Sequence, residues 1–311
     1  MRSAWCHSPT LSHLGYRILQ TLSPRLPLRT TLRLADRIAD VQWRRSPQIR
    51  RVIDTTRARL DAAAPDAAGA SSRAVLRNFA RYLVEFFAIH RLRPPALAVE
   101  GMAHLERGGT SGRGALLLTG HLGNWEAGAV LIRRMGLPVS VVVLPHADPR
   151  TDRLFSRQRE RGGVGVIPLG AGAWHRSLRS LHDGHLLGIS GDWDVSGDGI
   201  AVPFGTGSLV MPRGPAVLSL RTGAPAIPVF LIREGDWAFR LFVEPPIWPN
   251  AQTVVSLTHR YAAILERYIK RFPDQWLLLH EAIQPLGSRL GAGGWGQVPR
   301  ASSPEPSATP R

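Results

Sequence analysis

Apolar residues follow two different patterns along the chain, and the change comes at Pro94 and Pro95. Before this point they recur at intervals of three and four residues, which predicts helices throughout. The stretch from Asp61 to Ser72 is Ala-rich and contains a proline and a glycine, so it is predicted to be a connector. The clearest predicted helix runs from Arg73 to Arg91, with an apolar stripe formed by Val75, Phe79, Tyr82, Leu83, Phe86 and Phe87.

After residue 95, short and almost uninterrupted apolar runs alternate with amphipathic segments. This pattern predicts an α/β fold with a mainly parallel central sheet wrapped by helices, because strands covered on both faces lose the usual polar alternation. The predicted strands are Leu97–Glu100, Ala115–Thr119, Val139–Leu144, Val164–Pro168, Leu186–Ser190, Ala226–Ile232 and Phe239–Val243. The predicted helices are Asn124–Met135, Asp148–Arg161, Ala173–Asp183, Arg213–Thr222 and Thr253–Phe272.

Charge divides the chain in the same way. Residues 1–95 contain 17 arginines and 6 acidic residues, a net charge of +11, out of a formal +16 for the whole chain. A basic helical region suits an anionic membrane surface, with nucleic acid or a simply solvated helix face as alternatives. The sequence contains no zinc-finger, RNP or basic-zipper signature for nucleic acid. We therefore predict a membrane-docking region at 1–95, an α/β domain at 96–285, a disordered tail at 286–311, and no nucleic-acid partner.

The apolar runs also bear on location. None approaches the roughly 18 uncharged residues that a membrane-spanning helix needs, and no signal-peptide pattern stands at the N-terminus. We expect peripheral attachment at the cytoplasmic face of the inner (plasma) membrane. The single cysteine, Cys6, excludes an internal disulfide framework and any metal cluster built from cysteines.

The segment with the clearest chemical content is TGHLGNWEAGA, from Thr119 to Ala129. An apolar strand ends at Thr119, and His121 lies in a glycine-containing turn before the next predicted helix, which is where α/β folds place reactive groups. If Glu126 held one nitrogen of the His121 imidazole, the other nitrogen could take a proton from a hydroxyl. In the alternative interpretation, His121 bonds to backbone at the helix start and Glu126 complements the helix dipole.

This segment resembles the H-x4-D/E motif of the bacterial lipid A lauroyl/myristoyl acyltransferase family, to which phosphatidylinositol mannoside acyltransferases are related. Further blocks resemble the same family and follow in the family's order. They are the R-x-x-x-G segment within Arg157–Pro168, the acidic block and turn at Gly191–Gly205, the helix start at Met211–Ala216, the strand entry at Arg221–Pro228 and the ending Phe272–Trp276.

The resemblance implies roles for individual residues. His121 would be the general base and Glu126 its charge-relay partner, and Asp192 would orient the histidine or the acceptor. Arg159 and Arg213 would bind anionic groups of the substrates, and we place Asn124 with them as substrate-binding. Trp193 stands where many relatives have an arginine, and basic amphipathic helices replace the hydrophobic anchor with which many lipid A enzymes begin.

The resemblance also implies a glycerol-3-phosphate-acyltransferase-like fold and a reaction. A fatty acyl group would pass from acyl-carrier protein or acyl-coenzyme A to a hydroxyl of a lipid A-type glycolipid or a lysophospholipid. The hydroxyl would attack the thioester directly, without an acyl-enzyme, a cofactor or a metal, and an apolar channel would hold the acyl chain. The alternatives are a catalytically inactive relative that binds acyl lipids or membranes, and a nucleic-acid-binding protein.

Overall fold

The described residues of the N-terminal third are mostly helical, as the apolar periodicity predicts. The computed structural model describes residues 9–23, 25–60, 68–90, 93–109 and 112–285. The first four elements are α1 (Pro9–Leu22), α2 (Leu28–Arg45), α3 (Pro47–Leu60) and α4 (Ala68–Ala88). Helices α1, α2 and α3 all pack against α4, and apolar residues such as Ile53, Leu76 and Tyr82 are buried between them.

Helix α4 begins earlier than the sequence pattern predicts. The predicted connector at 61–72 is wrong for residues 68–72, because α4 already begins at Ala68; residues 61–67 lie outside the described residues. The predicted tail at 286–311 and Cys6 also lie outside them.

Strands and helices alternate in the second part of the chain. The elements up to the fifth strand are β1 (Ala96–Glu100), α5 (Met102–Gly109), β2 (Ala115–Thr119), α6 (Trp125–Arg134), β3 (Val139–Val143), α7 (Pro149–Arg161), β4 (Gly165–Pro168), α8 (Ala173–His182) and β5 (Leu186–Ser190). The remaining elements are β6 (Ile200–Phe204), β7 (Gly207–Met211), α9 (Gly214–Thr222), β8 (Ala226–Gly235), β9 (Ala238–Val243), α10 (Val254–Arg271), a 3-10 turn (Pro273–Gln275) and β10 (Ile283–Pro285).

Seven strands form the central sheet in the order β1-β9-β8-β2-β5-β3-β4. All neighbouring pairs are parallel except β8 and β9, which form an antiparallel pair. Separate apolar clusters cover the two faces of this sheet, one including α10 and the other α5 and α6. The predicted α/β fold with a mainly parallel sheet wrapped by helices is therefore confirmed, and each predicted strand corresponds to an observed one.

The sequence patterns missed helix α5 and a small second sheet. Strands β6 and β7 form an antiparallel hairpin, and β10 pairs with β7. Along β6 and β7 buried residues alternate with more exposed ones, and Pro203, Gly205 and Gly207 interrupt the segment. The sequence analysis predicts no strands here, because the period-two pattern is too short to stand out beside these residues.

Candidate active site

The site lies at the carboxyl ends of two neighbouring parallel strands. Strand β2 ends at Thr119 and β5 ends at Ser190, and these two residues are partners in the sheet register. His121 and Asp192 each follow their strand by two residues. The register of the sheet therefore places a histidine and an aspartate side by side, as α/β folds do with reactive groups.

Two glycines allow the chain to turn sharply around His121. Gly123 has φ +67°, and a Cβ atom there would lie 2.0 Å from the Leu231 carbonyl oxygen, so no other residue fits. A Cβ atom on Gly120 would lie 2.9 Å from Asp192 Oδ2, so this glycine leaves room for the carboxylate. The segment after α10 closes over the turn, since Leu277 donates its backbone N–H to the His121 carbonyl oxygen at 2.6 Å.

The His121 ring bonds directly to the Asp192 carboxylate, with Nδ1 and Oδ1 2.8 Å apart. Asp192 Oδ2 accepts two more hydrogen bonds, from the His121 backbone N–H at 2.7 Å and from Trp276 Nε1 at 3.0 Å. The Asp192 side chain is 0% exposed, whereas the His121 side chain is 22% exposed. The carboxylate is thus fixed from several directions, and the imidazole has access to solvent.

Electrostatics keeps the buried carboxylate ionised. Burial by itself raises the pKa of Asp192, but the charge of His121 and hydrogen bonds from His121 and Trp276 more than offset that effect, and the pKa lies below its ordinary value. An ionised carboxylate can only accept, so Nδ1 of His121 carries the hydrogen of their bond. The lone pair of the neutral ring then lies on Nε2, the nitrogen that can act as a base.

Glu126 is not the partner of His121, and this prediction is corrected by the structure. Its carboxylate accepts two hydrogen bonds from Arg159, from Nε at 2.8 Å and from Nη2 at 2.5 Å. The reason is helical geometry. Trp125, the first residue of α6, places its ring edge-on to the His121 ring at a centroid distance of 4.9 Å, and the next residue points about 100° away around the helix.

Arg159 also differs from its prediction as a substrate-binding residue. Its side chain is 7% exposed, and its bidentate bonds to Glu126 join α7 to α6 inside the protein. A substrate anion would have to displace a buried carboxylate to reach this guanidinium. The geometry supports a structural ion pair between two helices.

Asn124, which the sequence analysis predicts to bind substrate, instead has a structural role. The residue is completely buried, and its Oδ1 accepts from the Ala127 backbone N–H as the N-cap of α6. Its Nδ2 donates to the Glu85 carboxylate at 2.8 Å. Glu85 in turn forms a buried ion pair with Arg233. Asn124 therefore fixes the start of the helix that follows the His121 turn.

Arg213 remains available to a ligand. It stands directly before α9, its side chain is 51% exposed, and it lies 3.7 Å from Asp198 in a loose ion pair. Asp198 belongs to the loop between β5 and β6, which also contains Asp192. An anionic group that approaches this loop could contact the guanidinium.

The sequence patterns missed the aromatic surroundings of His121. Trp193 packs against the His121 ring at 6.0 Å and against the His280 ring at 4.9 Å between centroids. Burial, with a further contribution from His121, lowers the pKa of His280 to about 4. His280 is therefore neutral at pH 7. Trp276 belongs to a motif that the sequence analysis identified. His280 belongs to none, and a single histidine in an apolar segment does not indicate a place near the site.

An apolar cleft starts beside Asp192, between β2, α9 and α10. It is lined by residues that include Leu118, Gly191, Pro215, Leu257 and Tyr261, and its volume is about 10 Å³. A cavity that holds one water molecule has a volume of roughly 10–15 Å³ on the same measure. In this structure the cleft is therefore too small for an acyl chain, and the predicted apolar channel stays a prediction.

Comparisons with known proteins show which family the chain belongs to. The family model described as bacterial lipid A biosynthesis acyltransferase matches residues 13–284. The phosphatidylinositol mannoside acyltransferase of Mycolicibacterium smegmatis is 31% identical over 216 residues, which cover 67% of this chain and 70% of that protein. The lipid A biosynthesis palmitoleoyltransferase of Escherichia coli is 27% identical over 198 residues, which cover 61% of this chain and 62% of that protein.

Among solved structures, the 1-acyl-sn-glycerophosphate acyltransferase of Thermotoga maritima aligns with 68% of this chain and 85% of its own, with 14% identity and a TM-score of 0.39. The family match spans most of the chain and contains both His121 and Asp192. It confirms the family that the motifs predicted. The chain belongs to the bacterial lipid A biosynthesis acyltransferase family and is an O-acyltransferase that acts in lipid biosynthesis.

Proposed function

We propose that this enzyme transfers a fatty acyl group from acyl-carrier protein or acyl-coenzyme A to a hydroxyl of a lipid A-type glycolipid or a lysophospholipid, with His121 and Asp192 as a catalytic dyad. The main support is the 2.8 Å bond between His121 Nδ1 and a completely buried Asp192 carboxylate. A base held in this way by an ionised carboxylate is the arrangement that activates hydroxyl groups in many transferases and hydrolases.

The proposed reaction is a single displacement. His121 Nε2 takes the proton of the acceptor hydroxyl as the oxygen attacks the thioester carbonyl carbon. The tetrahedral intermediate collapses, the carbon–sulfur bond breaks, and the imidazolium returns the proton to the leaving thiolate. Asp192 stabilises the imidazolium in the meantime. The acyl group goes directly from sulfur to oxygen, so the proposal requires neither an acyl-enzyme nor a cofactor or metal ion.

The exposed Arg213 is proposed to contact a phosphate of the donor or the acceptor, because a guanidinium binds phosphate through two parallel hydrogen bonds. Trp193 packs edge-on against the catalytic ring and is partly exposed. We expect it to contact the acceptor, in place of the arginine that many relatives carry. Glu126 and Arg159 are proposed to support the site by joining α6 to α7.

The first two helices support peripheral attachment to a membrane. Three large apolar residues lie exposed along one stripe of α1 and three along one stripe of α2, namely Leu14, Ile18 and Leu22, and Leu34, Ile38 and Val41. Arginines flank the second stripe at positions 33, 37 and 44. Exposed apolar stripes bordered by basic residues are typical of helices that lie in a bilayer interface.

None of the helices in the described part of the chain combines the length and the apolar character that crossing a bilayer requires. We propose peripheral attachment at the cytoplasmic face of the inner membrane. The alternative function, nucleic-acid binding, predicts a different ligand. A nucleic-acid-binding protein would be retained on duplex DNA, whereas the proposed enzyme is expected to bind anionic liposomes and not DNA at moderate salt.

The reaction is tested by lipid mass spectrometry on cells in which the gene is deleted and then supplied as wild type or as His121→Ala. We expect the deletion to accumulate a lipid that lacks one acyl chain, and only the wild-type gene to restore the mature lipid. The accumulated lipid would identify the acceptor. Full restoration by His121→Ala would exclude the proposed base and favour an acyl-lipid-binding role.

A further inference from the structure

A cleft between α1 and α7 is lined mostly by basic side chains, together with Gln20 and Leu154. Its volume is about 160 Å³. The two helices are held together beside it by an edge-on contact between Tyr16 and Phe155 and by a 3.3 Å bond between His13 Nδ1 and Thr151 Oγ1. The basic side chains that line the cleft are His13, Arg17, Arg150, Arg153, Arg157 and Arg161.

Four of these arginines come from one face of α7. They follow each other at intervals of three, four and four residues, which places them in one row along a helix. The opposite face of α7, with Phe155 and Arg159, is buried. The four arginines are exposed, on the side of α7 that does not pack into the protein.

The charge in this cleft is largely uncompensated. Arg150 pairs with Asp148. Within the described residues, none of the other four arginines forms a salt bridge, and neither do Asp152 and Glu160, the two carboxylates on α7. Like charges three or four residues apart on a helix repel each other. A bound anion would remove that repulsion.

The position of the cleft indicates where the anion comes from. Leu14, Ile18 and Leu22 form the exposed apolar stripe of α1. At about 100° per residue, Arg17 lies roughly 60° around the helix from Leu14, between the stripe and the cleft. A bilayer that takes up the stripe would thus bring its headgroups to the cleft.

We propose that the arginine cleft between α1 and α7 is a binding site for the phosphate of an anionic lipid headgroup. The volume suits a phosphate with part of its glycerol and is below that of sites for larger ligands, which are roughly 300–1,000 Å³. Planar guanidinium groups match the oxygens of phosphate in pairs. The cleft would select anionic lipids and fix the orientation of the enzyme on the membrane. This inference rests on the proposed attachment to a membrane but not on the proposed reaction.

The test compares two pairs of substitutions with the same change in charge. Arg153→Gln/Arg157→Gln changes the cleft, and Arg179→Gln/Arg260→Gln changes exposed arginines on α8 and α10. Sedimentation with vesicles of phosphatidylcholine, pure or mixed equally with phosphatidylglycerol, gives the affinity of the full chain without any acyl donor. We expect the cleft pair to lose about thirtyfold in affinity for the mixed vesicles, and the control pair to lose much less.

Equal losses in both pairs would overturn the site, because only diffuse charge would then matter. Inorganic phosphate and coenzyme A are added in separate arms. If coenzyme A at concentrations near the protein's own displaced the wild type from the vesicles while inorganic phosphate did not, the cleft would be assigned to the donor instead. Loss of binding to acyl-carrier protein, with vesicle binding intact, would assign it to that protein.

Acyl transfer to a detergent-dispersed acceptor separates this inference from the proposed function. We expect the cleft pair to keep wild-type turnover there, because the substitutions do not touch the His121 site. If the wild type itself were inactive but bound the mixed vesicles through the cleft, the reaction would be refuted and the headgroup site retained. The thermal unfolding midpoint of each variant confirms that it folds.

Discussion

His121 and Asp192 lie 71 positions apart in the chain and become neighbours because Thr119 and Ser190 are partners in a parallel pair of strands. Each residue extends its strand by two positions, so the register that pairs the strands also aligns the two side chains. Backbone hydrogen bonds continue beyond the strand ends, since Gly191 donates its N–H to the Thr119 carbonyl oxygen at 2.7 Å. The dyad is thus positioned by the rigid centre of the sheet.

The first prediction concerns the identity of the carboxylate that assists the base. We expect Asp192→Asn to lower kcat by on the order of a thousandfold. An amide can favour the His121 tautomer that carries its hydrogen on Nε2, and it does not stabilise the imidazolium. Glu126→Gln should reduce kcat far less once its lower stability is taken into account. Steady-state kinetics of both variants at a temperature where each is folded decides between them. A larger loss from Glu126→Gln would restore it as the relay residue.

The second prediction treats Glu126 and Arg159 as a buried ion pair. Removing one partner, in Glu126→Leu, should lower the free energy of unfolding by about 3–5 kcal/mol, because an unpaired guanidinium remains buried. The double variant Glu126→Leu/Arg159→Met should recover most of that loss. Chemical denaturation of the wild type, of both single variants and of the double variant measures the coupling. If the double variant were as unstable as the single one, the pair would not act as a unit.

The third prediction concerns Asn124. We expect Asn124→Ala to lower the free energy of unfolding by about 1–3 kcal/mol, since the N-cap of α6 is lost and Glu85 loses a buried donor. KM should change little because the side chain is buried away from solvent. A raised KM with unchanged stability would instead support the substrate contact predicted from sequence.

The fourth prediction is a pH dependence of stability. In the folded protein the pKa of His280 is lowered to about 4, whereas in the unfolded chain it is about 6.5. Between these values the unfolded state binds the proton and the folded state does not, so stability falls as the pH falls from about 6.5 to 4. The contribution is up to about 3 kcal/mol.

His280→Gln should show a smaller loss of stability over this pH range. Asp192 is present in both proteins, so the difference between their pH dependences of stability reports the contribution of His280. Asp192 has a lowered pKa, so its contribution is present above the unfolded value and is lost at lower pH. Denaturation curves at several pH values test the difference, and parallel curves for the two proteins would contradict it.

The fifth prediction concerns attachment to membranes. Ile18 is 50% exposed and Ile38 is 60% exposed on the stripes of α1 and α2. We expect Ile18→Ser/Ile38→Ser to weaken binding to anionic vesicles by at least tenfold, since each buried apolar side chain contributes about 1 kcal/mol or more. Stability should hardly change because both side chains face water. Val255→Ser on α10, where Val255 is 52% exposed, is the matched control.

The sequence by itself determined the layout of the fold. Buried strands such as Ala115–Thr119 are almost wholly apolar, and helices such as Thr253–Phe272 repeat their apolar residues at helical spacing, so local patterns predict both. The motifs also indicated the family and located His121 and Asp192. These features are local, and each can be recognised within a few residues.

Only the tertiary structure decided which side chains meet. Glu126 is five positions from His121 in the chain, yet it bonds to Arg159, while Asp192, 71 positions away, takes the place at the imidazole. Strand register and the direction of a helix at its first turn set these contacts, and neither can be derived from spacing along the chain. The burial of Asn124 and the arginine cleft between α1 and α7 have the same origin, since both depend on helices that come together only in the folded protein.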